Sequence, residues 1–367
     1  MINTATLDPS TRTIATVAGT RMRDRCGSLK EAWYAAALSA ELTTKRPLGR
    51  VILEQPLVLW RTTGGRAVVM EDRCAHRNAA LSKGDVFDGK LGCPYHGWVY
   101  NGEGRCVEVP SDGVGAAPPR CAVPRFPVTE RHGLVWVWMG DTAPGHEPFP
   151  MPYWDTPGWG TYYMVTAFPN EVTHLVENFM DVPHTTFVHA GWFRRPAHKR
   201  IRVLVERTDS SVLVTYDLPN DKIGFAGRIL NPDGAPTEHT DKFYMPNNTR
   251  VDYTFGDEER AFVITSTCTP ISEFSTSVYT LISYKLGWLN ALAPLWLPWY
   301  TREVIRQDVQ IMRVQGDNLK RFGGATRFNS TDADLLHAFI ESLRDHAERG
   351  GDEPSPEPRT QEVFFWI

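Results

Sequence analysis

Between Ala32 and about Gly140 the apolar positions come in short runs, VILEQPLVLWR, RAVVMED and GLVWVWMG, separated by Gly, Pro and Asn. Short runs bounded by turn residues predict β-strands, and their close, regular spacing predicts a small sandwich or barrel. Asp141–Gly160 (DTAPGHEPFPMPYWDTPGWG) is dense in Pro and Gly and reads as a linker. Beyond it the rhythm changes. A helical stretch at Val172–Asp181 precedes strand-like runs near Ile201–Leu218, Thr249–Tyr253, Ala261–Thr267 and Ser277–Tyr284. Longer helical periods follow at Thr301–Phe322 and Asp332–Arg349. Antiparallel strands with helices gathered at the end imply an α+β domain. The pattern therefore divides the chain into an N-terminal arm (1–30), an all-β domain (31–145), an α+β domain with an antiparallel sheet flanked by helices (146–350) and a tail (351–367). The arm is polar and aperiodic. The stretch GGDEPSPEPR reads as flexible, and the closing VFFWI is apolar enough to dock. No internal repeat is visible.

Composition narrows the function classes. A net charge of −4, with no basic excess, gives no footing for nucleic acid. The N-terminus has no continuous apolar core of signal-peptide length, so a cytoplasmic protein is expected. The most apolar stretch, Leu286–Tyr300 (LGWLNALAPLWLPWY), is too short to span a bilayer and is interrupted by Pro294 and Pro298. It is expected to pack in the core or form a pocket wall, with a subunit or membrane contact left open. Six cysteines in a cytoplasmic chain of this size argue against a disulfide scaffold, so metal binding comes forward.

Two short pairs answer that expectation: Cys74 and His76, then Cys93 and His96, in the block CAHRNAALSKGDVFDGKLGCPYHGW. Thiolate and neutral imidazole are ligands that soft or borderline metals prefer. Two loops, each with one Cys and one His, can hold a single zinc, or a [2Fe–2S] pair with both Cys on one iron and both His on the other. Zinc fingers usually pair Cys with Cys and His with His, whereas each loop here is mixed. Gly92, Pro94 and Gly97 suit loops whose N–H groups approach bridging sulfides. The block resembles the Rieske signature, including the trailing Gly97 and Trp98. High-potential respiratory Rieske proteins carry a disulfide clamp where this chain has Ala79 and Tyr95, so the loops resemble the lower-potential oxygenase branch. Cys26, Cys106, Cys121 and Cys268 have no comparable partners and read as buried thiols.

A second group sits in ENFMDVPHTTFVH. His184 and His189 would stand about 140° apart on a straight helix and could not share a metal. Pro183 disfavours helical geometry at Val182, so a break is expected, past which the two imidazoles can converge. A carboxylate would complete a facial triad for O2-activating Fe(II). In the helix TREVIRQDVQIMRVQGDNLKRF the candidates are Glu303, Asp308 and Asp317. At about 100° per residue, Val304, Ile311, Met312 and Leu319 form an apolar face with Asp308 near its centre, while Glu303 and Asp317 point away. A buried carboxylate needs a cation or strong donors, and an arginine partner is the alternative. The run N-x2-D-x2-H-x4-H resembles the catalytic-iron segment of Rieske oxygenases. That resemblance implies iron on His184 and His189, Asn178 close to the metal, and Asp181 as the link to a neighbouring subunit's cluster. It also implies a third ligand at a Gln-Asp pair, matched by Gln307–Asp308. On residues alone, Asp181 could be a helix-end cap and Asn178 a satisfied buried amide. His174 reads as a polar core or surface residue, and the remaining histidines show no ligand-like grouping.

The resemblance runs from about Glu31 to Arg349 and is nearest to the α-only branch of the Rieske ring-hydroxylating oxygenases, with O-demethylases, aryl monooxygenases and pheophorbide or chlorophyllide oxygenases. It implies a terminal oxygenase with one [2Fe–2S] cluster and one mononuclear Fe(II). It also implies a separate NAD(P)H-dependent reductase or ferredoxin, O2, and a homotrimer. The substrate expected is a hydrophobic cyclic or aromatic small molecule, with walls from Phe179, the strands between Val203 and Tyr284, and Leu286–Tyr300. Hydroxylation or demethylation is the reaction expected, as a monooxygenation, with N-oxidation or dihydroxylation as the alternatives within the family. A zinc-stabilised binding module is the rival reading, and it gives no reason for Asp308 in an apolar stripe.

Overall fold

The computed structural model describes residues 21–367 except 193–198, 218–230, 232–233, 257–259, 325 and 351–353. Most of the predicted arm (1–20) and the start of the tail therefore lie outside the described residues. Within the arm's last ten residues, Met22–Arg25 forms one helical turn and Gly27–Lys30 a 3-10 turn.

The N-terminal half holds ten short strands: β1 (Trp33–Leu38), β2 (Leu48–Ile52), β3 (Gln55–Arg61), β4 (Ala67–Glu71), β5 (Asp85–Phe87), β6 (Lys90–Gly92), β7 (Val99–Tyr100), β8 (Cys106–Glu108), β9 (Val128–Arg131) and β10 (Leu134–Trp138). They make three small sheets, ordered β1-β10-β9, β2-β3-β4 and β5-β6-β7-β8. The apolar runs supply their cores: Val58, Trp60, Val68 and Met70 pack with Leu81, Leu91 and Tyr100 under the two Cys/His loops. Residues 139–159 carry no strand or helix, in line with their Pro and Gly content.

The second half is one eight-stranded sheet, β11 (Gly160–Phe168), β12 (Arg200–Arg207), β13 (Ser211–Asp217), β14 (Thr237–Tyr244), β15 (Asn248–Phe255), β16 (Arg260–Ser272), β17 (Ser275–Lys285) and β18 (Arg359–Trp366). Its order is β11-β17-β16-β15-β14-β13-β12-β18, antiparallel at every step. Helices α1 (Val172–Met180), α2 (His184–Phe187), α3 (Ala293–Arg321) and α4 (Leu335–Glu348) complete it. Leu175 and Val176 of α1 and Phe339, Ile340 and Leu343 of α4 share one apolar cluster with strand residues Val203, Val205, Val212 and Val214. The α+β expectation holds.

Two details differ from the sequence reading, and the docking expected of the closing VFFWI is seen. The run Ile201–Leu218 is two strands, with Leu218 outside the described residues. The closing VFFWI is the outer half of β18, where Val363 and Phe365 are buried against β12 and the alternate Phe364 and Trp366 are exposed. Helix α3 begins at Ala293 rather than Thr301. Pro294 falls in its first turn, where an N–H has no partner to lose, and Pro298 is carried inside. Within the Leu286–Tyr300 stretch Leu286, Ala293, Leu297 and Tyr300 pack in the core, as one of the two expectations had it, while Trp288, Leu295 and Trp299 are 75 %, 81 % and 60 % exposed. No helix among the described residues is long and apolar enough to cross a membrane.

Candidate metal centres

The first loop leaves β4, and Cys74 N donates to Ala79 O (2.8 Å) while Asn78 N returns to Cys74 O (2.9 Å), closing a tight turn. The second loop joins β6 to β7. Cys93 N donates to Trp98 O (2.8 Å) and Gly97 N to Cys93 O (3.1 Å), with Gly97 at φ +73°, a left-handed position that glycine takes at least cost. At Gly92 on β6 a Cβ would stand 2.7 Å from the Phe87 ring, so the close approach of that ring requires glycine there.

These turns set the side chains as two like pairs, Cys74 beside Cys93 and His76 beside His96. The Cys93 thiol is pushed up by burial and by the Cys74 thiol beside it. The His76 and His96 rings lie 4.6 Å apart, and His76 stacks on Trp98 at 4.6 Å and 2°. Both cysteines are buried, His76 is half-buried and His96 exposed. His76 Nδ1 is shielded with no hydrogen-bond partner, an orphan that a metal would satisfy. Two thiols inward and two imidazoles outward is a donor set that fits a [2Fe–2S] pair. All six cysteines are free, so no disulfide joins the loops.

Sequence reasoning overlooked Tyr100, which is fully buried on β7 with its hydroxyl 3.1 Å from Cys74 Sγ and 3.2 Å from Ala75 N. Its place seven residues past Cys93 carries no motif. The remaining cysteines also need correction. Cys26, Cys106 and Cys268 are buried, but Cys121 is only half-buried and sits opposite Cys106, whose N–H it accepts at 3.0 Å.

The second centre is assembled across the chain. Glu171 caps α1, accepting from Thr173 N at 2.7 Å, and the helix stops at Met180 with Asp181 extended. Pro183 then starts α2, and the resulting break turns the His184 and His189 rings towards each other, 5.2 Å apart at 72°. Across from them Asp308 is presented by α3. Its Oδ1 lies 3.1 Å from His189 Nε2 and 3.6 Å from His184 Nε2. One ligand atom from each of the three lies within 4.8 Å of the others. The helical face reading was right at Asp308 and Met312, both buried, and wrong at Ile311, which is 37 % exposed. Glu303 and Asp317 point away, each paired with a basic residue one turn on.

The electrostatics fit a cation. Burial works to raise the Asp308 carboxyl, yet the two imidazoles outweigh it and hold it at about 2. Burial works to lower His184, and Asp181 with Asp308 reverse that. A buried anion between two nitrogen donors is stable only with positive charge, from protons or a metal. Around this core, Asn178 Nδ2 donates to Asp308 Oδ1 at 3.3 Å, and Gln307 Oε1 lies 2.8 Å from His189 Nδ1. Asp181 Oδ2 stands 3.7 Å from His184 Nδ1, leaving that nitrogen without a hydrogen bond. His174 is a buried core residue beside Glu177 (3.6 Å), away from this group.

The triad borders a cleft. Its floor is the inner face of β14–β17 and its roof Phe179, Val304 and Ile305. Of the Leu286–Tyr300 stretch only Tyr300 lines it. A buried pair that the sequence reading had passed over, His239 and Asp241, forms part of the wall. Their i, i+2 spacing on an alternating strand was the available signal.

Residues 32–127 match the Rieske [2Fe-2S] domain and residues 171–338 the vanillate O-demethylase oxygenase C-terminal domain. A putative toluene-4-sulfonate monooxygenase system iron-sulfur subunit of Comamonas testosteroni is 39 % identical over 49 % of this chain and 51 % of its own length. The oxygenase component of dicamba O-demethylase from Stenotrophomonas maltophilia is 36 % identical over 61 % of this chain and 62 % of its own. The chain thus spans between half and two thirds of these relatives. The crystal structure of dicamba monooxygenase bound to dicamba superposes with a TM-score of 0.77 at 26 % identity, covering 88 % of this chain and 98 % of that one. The chain thus joins, in one polypeptide, a Rieske [2Fe-2S] domain and a vanillate O-demethylase oxygenase C-terminal domain, in the fold seen in dicamba monooxygenase.

Proposed function

We propose that the chain is the terminal oxygenase of a Rieske system, hydroxylating or demethylating a hydrophobic cyclic or aromatic small molecule with O2. Electrons come from a separate NAD(P)H-dependent reductase or ferredoxin. Cys74, His76, Cys93 and His96 hold the cluster, and His184, His189 and Asp308 hold Fe(II). The observation that carries this reading is the coexistence, in one chain, of a loop-borne Cys2His2 set and a separate buried His2Asp set facing an apolar cleft. When bound, the cluster supplies single electrons and the ferrous ion supplies O2 activation.

The protein's own part is placement. His96, exposed, offers the edge at which a reductase would dock. Gln307 fixes the ring of His189, and Asn178 holds the Asp308 carboxylate against free rotation. Asp181, partly exposed beside His184, is the contact through which we place a neighbouring copy in a homotrimer. The apolar roof and floor orient a ring and exclude water. The name of the dicamba relative supports O-demethylation and that of the Comamonas relative an aromatic substrate. The six free cysteines support a reducing, cytoplasmic setting.

Iron and sulfide analysis of the purified protein tests this directly. About three irons and two sulfides per chain, with a visible charge-transfer spectrum, are expected. A colourless protein holding one zinc would instead establish the binding-module reading.

A further inference from the structure

His239 and Asp241 stand two residues apart on β14, on the face turned to the cleft. The imidazole is sandwiched between Tyr216 (4.6 Å, 18°) and Tyr253 (4.3 Å, 15°), and its Nε2 lies 2.8 Å from Asp241 Oδ1. The side chains are 1 % and 3 % exposed. Ring stacking on both sides fixes the imidazole, and the imidazole fixes one oxygen of the carboxylate. Among the described residues the other oxygen, Oδ2, has no hydrogen-bond partner, and Asp241 borders the cleft. Across the sheet from Asp241 the neighbouring cleft positions are apolar, Val251, Ile264 and Ile282. A carboxylate oxygen at the end of an apolar row is costly until a donor reaches it.

We propose that Asp241, held by His239, is the polar anchor of the substrate. It selects aromatic molecules bearing a neutral hydrogen-bond donor, the N–H of an arylamine or the O–H of a phenol, over aromatic carboxylates and sulfonates. The inference rests on the oxygenase reading and specifies its substrate class. An anionic substituent at this end of the cleft would face Asp241 with no countercharge, because the described lining residues include no lysine or arginine. A donor, by contrast, gains a charge-assisted bond in surroundings poor in water.

The test uses iron-replete protein and four probes of one shape: para-methoxyaniline, para-methoxyphenol, para-methoxybenzoate and para-methoxytoluene. Affinities are read by equilibrium dialysis. The aniline or the phenol should bind about tenfold or more tightly than the toluene analogue, with the benzoate weakest. In Asp241→Asn, whose integrity is read from the visible cluster spectrum, that advantage should fall to about twofold or less while the toluene analogue binds unchanged. Preference for the benzoate, or equal binding of all four by the unmodified protein, overturns the assignment without needing any variant. Iron and sulfide content is independent of this ranking. A protein lacking them overturns the oxygenase reading, whereas a flat ranking in a protein containing them overturns only the role of Asp241.

Discussion

The two Cys/His loops and the His-His-Asp group solve the same problem, holding iron, by opposite means. The loops keep their donors within 23 residues of one another, between Cys74 and His96, and backbone turns do the positioning. The second group draws His184 and Asp308 from helices more than a hundred residues apart, and packing does the positioning. A site built from local turns is insulated from the rest of the fold, while one built across helices depends on each of them. The comparison breaks most sharply with one ligand removed from each. Asp308→Ala should lose the mononuclear iron and about a thousandfold or more in turnover, while the cluster spectrum stays intact. Cys93→Ala should lose the cluster's iron and sulfide and leave the iron of the His-His-Asp group in place. Loss of all iron from either variant would mean that the two centres are not independently built.

A smaller effect is expected one step out from the metals. Asp181→Asn keeps size and shape but removes the charge beside His184 Nδ1. Turnover should fall roughly a hundredfold with both metals retained, measured as iron content against O2 consumption. Undiminished activity would remove Asp181 from the proposed subunit contact. Gln307→Leu removes the acceptor 2.8 Å from His189 Nδ1 that helps to orient the imidazole. Chelator competition should show iron held about tenfold less tightly, with the cluster's absorbance unchanged.

How much of this was legible in sequence follows the same division. The cluster loops could be read from spacing alone, because turns put neighbours in sequence next to one another in space. His184 and His189 were legible once Pro183 was seen to break the helix between them and Asn178. Asp308 was reached through helical periodicity, which placed it correctly although Ile311 on the same inferred face is 37 % exposed. Strand pairing was less accessible. Strand β14 (TEHTDKFY) is mostly polar, since one face meets the cleft, and the apolar run that marks a buried strand is missing. For the same reason His239 and Asp241 went unnoticed: on β14 polar residues are buried, and only their register across the sheet gives them a meaning. Of the prolines of Leu286–Tyr300, Pro294 misled because a proline in the first turn of a helix is tolerated, and Pro298 because the helix carries it inside.

The finest contrast between the centres lies in what touches the donors. Asp308 receives a side-chain amide from Asn178. Cys74 has a phenol: Tyr100 Oη stands 3.1 Å from its sulfur, in a fully buried position where burial and the Cys74 thiol push the hydroxyl above its usual range, so it stays protonated. A protonated phenol beside a thiolate donates to it. That bond is stronger when the iron–sulfur unit carries the extra electron, because the sulfur is then more negative, so the bond favours reduction. Tyr100→Phe deletes the donor and keeps the ring that fills the core under the loops. A bond of ordinary net strength corresponds to a potential lower by a few tens of mV for a one-electron couple. Redox titration followed in the visible spectrum measures it. His184, His189 and Asp308 should bind iron as before, since nothing about Tyr100 reaches them. A potential unchanged in the phenylalanine variant would mean that the hydroxyl serves Ala75 N, its other neighbour at 3.2 Å, and leaves the sulfur alone.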